Sequence, residues 1–209
     1  MAQNERRAAS LARYLALSGL FLDAPNARTD GISWAAYPEL SAPSPKTFAV
    51  IRQGIQSSKV LEIAYSSMSN PAQHRRLISP HGLIRAGRRW HVRAWCEHAN
   101  AYRDFALGRI WQASLLERDA TQGAKNDIGW NATIRVSLIA HPGLSESKAL
   151  VIRNEYFGGA SSRTDQCKGC LIPYFLQDLR VAVDLDKELA PEFQLALGNP
   201  DEVRPWLIS

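Results

Sequence analysis

The sequence predicts a mostly β protein with an α+β tail. A small antiparallel sheet or barrel occupies the middle of the chain, a compact α+β module follows, and one helix precedes both. Three observations predict this. From Val60 onward apolar residues recur at every second position, as half-buried strands require. Turn residues interrupt those runs at short intervals, which suits antiparallel strands joined by hairpins. After residue 128 strand-like and helix-like spacings mix.

Residues 4–22 read as a helix, with Leu11, Tyr14, Leu15 and Leu22 near one face and Arg6, Arg7 and Arg13 elsewhere. Residues 23–45 hold Pro25, Pro38, Pro43 and Pro45 and read as linker, so 1–45 forms an N-terminal helix and linker. Pro45 opens a second helix, Lys46–Ser57, with Phe48, Ile51 and Ile55 on one face. In "VLEIAYSS", Leu61, Ile63 and Tyr65 alternate with Glu62, Ala64 and Ser66. "HRRLISPHGLIR" is a second extended run, in which Pro80 must sit at a bend or an edge because it has no N–H. "RAGRR" is a tight turn around Gly87, "RWHVRAWCE" a third strand, and "RDFALGRIWQASLLE" a fourth strand running into a fifth. Residues 46–118 therefore form one domain, and "DATQGAKNDI" reads as linker.

Residues 128–209 form the α+β module. "WNATIRVSLIA" is a strand with Ile134, Val136 and Leu138 on one face, and Ser145 is placed to cap a helix in "LSESKALVIRNEY". "CLIPYFLQDLRVAV" reads as an apolar helix with Pro173 in its first turn or at a kink, and "FQLALGNP" as a short strand ending in a turn.

At 209 residues, 45% hydrophobic and 22% charged, the chain can bury a core without a disulfide or metal. Three cysteines, an odd number, argue against a secreted disulfide framework. No apolar run reaches the roughly 18 residues of a membrane span. The segment "NERRAASLARYLALSGLFLDAPNA" has elements of a signal peptide, but Arg13 interrupts it; a cytoplasmic amphipathic helix is expected.

The formal net charge of +5 is unevenly placed. Between Gln73 and Arg93 lie six Arg and three His, with no Lys and no carboxylate. Arg offers a planar fork for bidentate phosphate contacts and a face that stacks on bases. In the third strand Arg89, His91, Arg93 and Trp95 alternate with Trp90, Val92 and Ala94, which are assigned to the core. A nucleic-acid-like ligand needs cations for phosphates and flat faces for bases, and this row supplies both. Arg75, Arg76, Arg103 and Arg109 come from neighbouring strands and are expected to converge on the same surface. Arginines gathered without carboxylates repel one another until an anion binds. The rival readings are a solvated strand face, Trp95 capping a barrel end, and Arg109 ion-paired to Asp104 or Glu97.

Cys167 and Cys170, with Cys96 and His98, could supply four zinc ligands, but the two pairs fall in different modules and "CKGCLIPYF" also reads as the start of an apolar helix. His74, His81 and His141 read as surface or turn residues. The sequence lacks a P-loop, a G-x-G-x-x-G, an H-E-x-x-H and a G-x-S-x-G. No catalytic residue, metal or cofactor is expected.

The stretch "RLISPHGLIRAGRRWHVRAWCEHANAYRDFALGRI" resembles the WYL domain of bacterial transcriptional regulators. The namesake Trp-Tyr-Leu triplet falls on Trp90-His91-Val92, with two letters changed, and the downstream signature matches Arg103, Phe105, Arg109 and Ile110. The wording is most similar to the subgroup of WYL regulators found beside phage-defence systems, and "W…PGLSESKALVIRNEY…YFLQDL" resembles that subgroup's C-terminal dimerising extension. The likeness runs over roughly residues 46–209.

The resemblance implies an SH3-like or Sm-like small β-barrel that binds a nucleic-acid or nucleotide ligand and thereby switches an attached winged helix-turn-helix. Only about 45 residues precede the matching region, so the DNA-reading half is expected to be absent. His91 stands where the family has Tyr, which predicts ligand affinity rising as pH falls towards 6. The expected function is ligand sensing in transcriptional regulation. Arg75, Arg76, His91, Arg93, Arg103 and Arg109 would contact the ligand, Trp95 would stack, and the C-terminal module would form a homodimer. The alternative is a dimerising interaction module that acts on a full-length regulator and has no ligand of its own.

Overall fold

A computed structural model describes residues 43–86 and 89–207. The helix expected over 4–22, most of the 23–45 linker, and Gly87 and Arg88 of the expected turn lie outside the described residues.

Ser44 and Pro45 open helix α1 (Pro45–Ser57): the Ser44 Oγ accepts the Thr47 N–H at 3.1 Å, and proline at the first turn forfeits no helical bond. The helix stops where Ser58 turns left-handed, at φ 51°. Ile51 is fully buried, and Gly54 lets α1 approach the sheet closely, since a Cβ there would lie 2.9 Å from Leu61 Cδ2.

Five strands follow: β1 (Lys59–Tyr65), β2 (His74–Ala86), β3 (Arg89–Cys96), β4 (Ala101–Ala106) and β5 (Ile110–Asp119). They pair antiparallel in the order β4-β3-β2-β1-β5. The predicted alternation is met in β1, where Leu61, Ile63 and Tyr65 are buried, and in β3, where Val92 and Ala94 are fully buried. Pro80 lies at a register shift of β2, opposite Ala94 and beyond the last β1 partner, Ile78; its missing N–H removes no bond to β1.

The closed SH3/Sm-like barrel expected from the sequence does not form. β4 and β5 are the two free edges and share no ladder. The sheet is strongly curled all the same: Tyr65 of β1 meets Phe105 of β4 edge-on, ring centroids 5.1 Å apart, although β2 and β3 lie between them. Closure is replaced by a cover. A 3₁₀ turn (Leu107–Arg109) carries the chain from one edge to the other, Leu107 is buried, and α1 packs over β1, β2 and β5. The architecture is α+β with two open sheets.

The stretch 119–128, expected as a plain linker, carries structure, and the strand expected from Trp130 starts only at Thr133. A 3₁₀ turn (Ala124–Asn126) leads to Asp127, which caps the short helix α2 (Ile128–Asn131) by accepting the Trp130 N–H at 3.1 Å.

The second sheet contains β6 (Thr133–Ala140), β7 (Ser162–Lys168), β8 (Val181–Ala182) and β9 (Leu195–Leu197) in the order β7-β6-β9-β8, with β8 and β9 parallel. Helices α3 (Glu146–Phe157), α4 (Ile172–Asp178) and α5 (Pro200–Val203) accompany it, around a core of Val136, Leu138, Ile152, Ile172, Leu176 and Val203. Ser145 holds the cap position of α3, but its Oγ bonds Ser147 Oγ at 3.2 Å instead of a backbone N–H. The helix read over "CLIPYFLQDLRVAV" shrinks to α4, with Pro173 in its first turn. The left-handed Arg180, φ 50°, ends it, and Val181–Ala182 become a strand. Among the described residues no helix is long and apolar enough to cross a membrane.

Candidate functional site

Pairing sorts β3 into two faces. Val92, Ala94 and Cys96 oppose Phe105, Arg103 and Ala101 on the core side, while His91, Arg93 and Trp95 oppose Ala106, Asp104 and Tyr102 on the outer side. The outer face is the one the alternation predicts to be cationic, but it is not open to solvent. Arg93 is only 7% exposed, and the strip carrying Asp127 lies over it.

The Arg93 guanidinium is fully engaged. Its Nε and Nη2 donate to Asp127 Oδ2 and Oδ1 at 2.7 and 3.1 Å, a bidentate fork, while Nη1 donates to Asp104 Oδ1 at 3.2 Å. Asp104 accepts a further bond from the Tyr174 hydroxyl of α4 at 3.0 Å. His81 Nε2 donates to Asp127 Oδ2 at 3.0 Å. One side chain of β3 thus ties together β4, the ordered strip and the second module.

The surroundings are aromatic. The His81 ring stands edge-on to Tyr102 and Trp130 at 5.5 and 5.2 Å, and Tyr102 donates its hydroxyl to the Gly123 carbonyl at 2.9 Å. Gly82 makes room for the indole of Trp130: a Cβ there would lie 2.7 Å from its Cη2. Lys168 lies over the same indole, 4.6 Å from its centroid, and donates to the Trp130 carbonyl at 2.8 Å.

Electrostatics follows from burial and pairing. Burial alone would raise the Asp127 pKa, but the bonds and charge of Arg93 and the Trp130 N–H outweigh it and hold the carboxyl below its ordinary value. Burial opposes the Arg93 charge too, and Asp127 and Asp104 more than restore it. For His81 burial prevails over Asp127 and lowers the pKa, which favours the neutral ring, and its buried Nδ1 has no partner among the described residues. Burial likewise lowers His91, helped by Arg89 and Arg109 and opposed by Asp104. The Cys170 thiol is pushed up to about 11, chiefly by burial.

The seven predicted ligand residues do not share one surface. By register Arg75, His91, Arg93 and Trp95 point to the outer side of the sheet, and Arg76 and Arg103 to the core side, opposite Ile63 and Ala94. Arg109 sits in the 3₁₀ turn. Arg75 lies 3.4 Å from Glu62, Trp95 packs edge-on against Tyr102 at 5.1 Å, and His91 lies 5.0 Å from Tyr174. The imagined ion pair of Arg109 does not form: Asp104 is taken by Arg93, and Glu97 by Arg118. Among the described residues no carboxylate reaches Arg76, Arg103 or Arg109 within ion-pair distance.

Asp127, His81, Tyr174 and Trp130 were missed from the sequence. His81 and His141, read as surface or turn residues, are buried: the His81 side chain is 6% exposed and His141 4%. An Asp ahead of "IGW" is a cap signal, and it was the only available hint of Asp127. Among the described residues no group of three His, Cys, Asp or Glu is arranged to hold a metal.

Comparison with known proteins adds the family. Residues 46–115 match the family described as WYL domain, and residues 133–203 match the one described as BrxR transcriptional regulator, C-terminal dimerization domain. The chain belongs to the family of WYL-domain regulators, related to the BrxR regulator and the CapW repressor. This WYL regulator is 36% identical over 153 residues to the DNA-binding transcriptional repressor CapW of Escherichia coli (strain KTE188), covering 73% of this chain and 51% of the repressor. To the CapW repressor of Pseudomonas aeruginosa it is 34% identical over 155 residues, covering 74% and 52%. The WYL regulator therefore spans about half the length of the curated relatives it matches. The solved proteasome accessory factor B/C (PafBC) of Arthrobacter aurescens covers 80% of this chain and 27% of its own at 16% identity and a TM-score of 0.35, a likeness too slight to bear on the fold. The family is one of transcriptional regulators rather than enzymes. Asp127 falls between the two matched stretches, in a strip neither family covers.

Proposed function

We propose that this chain senses a ligand and dimerises in transcriptional regulation, and that an anionic nucleic-acid or nucleotide ligand is held by Arg76, Arg103 and Arg109. The observation that carries the reading is that these guanidiniums have no counter-charge among the described residues, whereas Arg75 and Arg93 do. Arg93 then serves as an internal tie instead of a ligand contact. His91 and Trp95, packed against Tyr174 and Tyr102, shape the wall beside it.

The naming of the relatives as DNA-binding transcriptional repressors supports a role in gene regulation. A homodimer through the C-terminal module is supported by exposed apolar side chains. Among the described residues, eight of the ten large exposed ones (Ile128, Leu150, Val151, Tyr156, Leu179, Val183, Leu185 and Leu189) lie in residues 128–207.

The test is fluorescence anisotropy with short labelled single-stranded DNA and RNA across a salt series. Affinity falls steeply with salt, and Arg76→Ala, Arg103→Ala and Arg109→Ala each reduce the slope by about 0.7. Salt-independent binding would refute the site. Absence of binding together with heterodimers on mixing with a full-length WYL regulator would establish the interaction-module alternative.

A further inference from the structure

We infer that Trp111 is a stacking platform for an unpaired nucleobase, set beside Arg109 on the edge of the first sheet; this rests on the nucleic-acid reading above. The β1–β5 ladder pairs Ala64 with Gln112 and Tyr65 with Ile110, which leaves Trp111 as the extra residue of a β-bulge. A bulge breaks the inward–outward alternation and re-aims one side chain. Here it aims the largest side chain of the twenty at solvent: Trp111 is 71% exposed, while Trp90, Trp95, Trp130 and Trp206 are all half-buried.

The ring is held in place. Its Nε1–H donates to Ser66 Oγ at 3.0 Å, and the Ser66 N–H donates to the Arg109 carbonyl at 3.2 Å. One serine thus stitches the indole to the turn that carries the arginine. An aromatic face fixed before binding loses less freedom when a partner stacks on it.

The charge around the ring selects the partner. Residues 64–76 and 107–114, which meet at this end of the sheet, contain Arg75, Arg76 and Arg109 and no carboxylate; Glu62, opposite Ser114, is engaged by Arg75 at 3.4 Å and leaves Arg76 and Arg109 uncompensated among the described residues. An apolar protein surface would gain nothing from the uncompensated Arg109, whereas a nucleotide offers a flat face and a phosphate together. Bases inside a duplex hide their faces, so the partner is single-stranded.

The test is anisotropy of a fluorescein-labelled oligomer of ten thymidines with the 209-residue chain and its variants. Trp111→Ala weakens binding about ten-fold or more with an unchanged salt slope, because stacking carries no charge. Trp111→Phe stays within about three-fold of wild type, since a ring remains. Arg109→Ala weakens binding and also flattens the slope. Circular dichroism checks the fold, which a solvent-facing ring does not support. Wild-type-like affinity in Trp111→Ala overturns this inference alone, and so does a loss in Trp111→Phe as large as in the alanine variant. Dissociation of a dimer by Trp111→Ala overturns it by assigning the ring to a protein interface. No binding by the wild type overturns this inference and the nucleic-acid reading together.

Discussion

Replacing Asp127 by alanine strands the buried guanidinium of Arg93. Asp127 is 1% exposed and the Arg93 side chain 9%, so removing the carboxylate leaves a buried guanidinium with only Asp104, at 3.2 Å, as counter-charge. Breaking a buried pair from one side costs about 3–5 kcal/mol, and the remaining Asp104 places this case near 3. Loss of the cap on the Trp130 N–H adds about 1 kcal/mol. A total of about 4 kcal/mol corresponds to a fall in Tm of about 8–16 °C for a domain of this size. Urea and thermal denaturation measure it. A double-mutant cycle with Arg93→Met separates the pair from general disruption: the double variant loses about 2 kcal/mol less than the sum of the two singles. A Tm within about 2 °C of wild type for Asp127→Ala, or strictly additive losses, would refute the tie.

Stability also depends on pH in a defined direction. His81 and His91 have pKa values lowered by burial, so below about 6.5 the unfolded chain binds more protons than the folded one, and stability falls as pH drops through that range. The depressed carboxyl of Asp127 adds a second loss that begins near pH 4, where the unfolded carboxyl starts to protonate. The urea midpoint should be flat from pH 8 to 7 and decline below 6.5; a rise on acidification contradicts the burial of both rings. The same depression of His91 moves any gain in ligand affinity to lower pH than the sequence alone predicts. Gly82→Ala should cost about 1–3 kcal/mol and change the fluorescence of Trp130, because the new methyl meets that indole at 2.7 Å; unaltered stability and emission would show that the contact relaxes freely.

The first sheet was legible because its strands are half-buried. Leu61, Ile63 and Tyr65, then Val92 and Ala94, carry the two-residue period that a core on one side imposes. Barrel closure was not legible, since no period reports whether β4 and β5 meet. β7 was also invisible: "SRTDQCK" is polar on both faces, and it is a strand only because β6 lies beside it along its whole length. Arg93 shows the limit most clearly. Alternation places it correctly on the outer face, but cannot say that a segment 34 residues away folds over that face and brings Asp127 with it. The exposed Trp111 was overlooked for a related reason, because bulges shift the very pattern by which strands are recognised.

The bidentate hold of Arg93 on Asp127 bears on how such chains evolve by recombination. A crossover that joined this sheet to a foreign C-terminal half at residue 119 would inherit the arginine and discard its mate, and the hybrid would start life with a destabilising interior cation. Viable exchanges must break the chain after residue 131, so the short helix should travel with the sheet that precedes it and its acidic cap should change in step with Arg93.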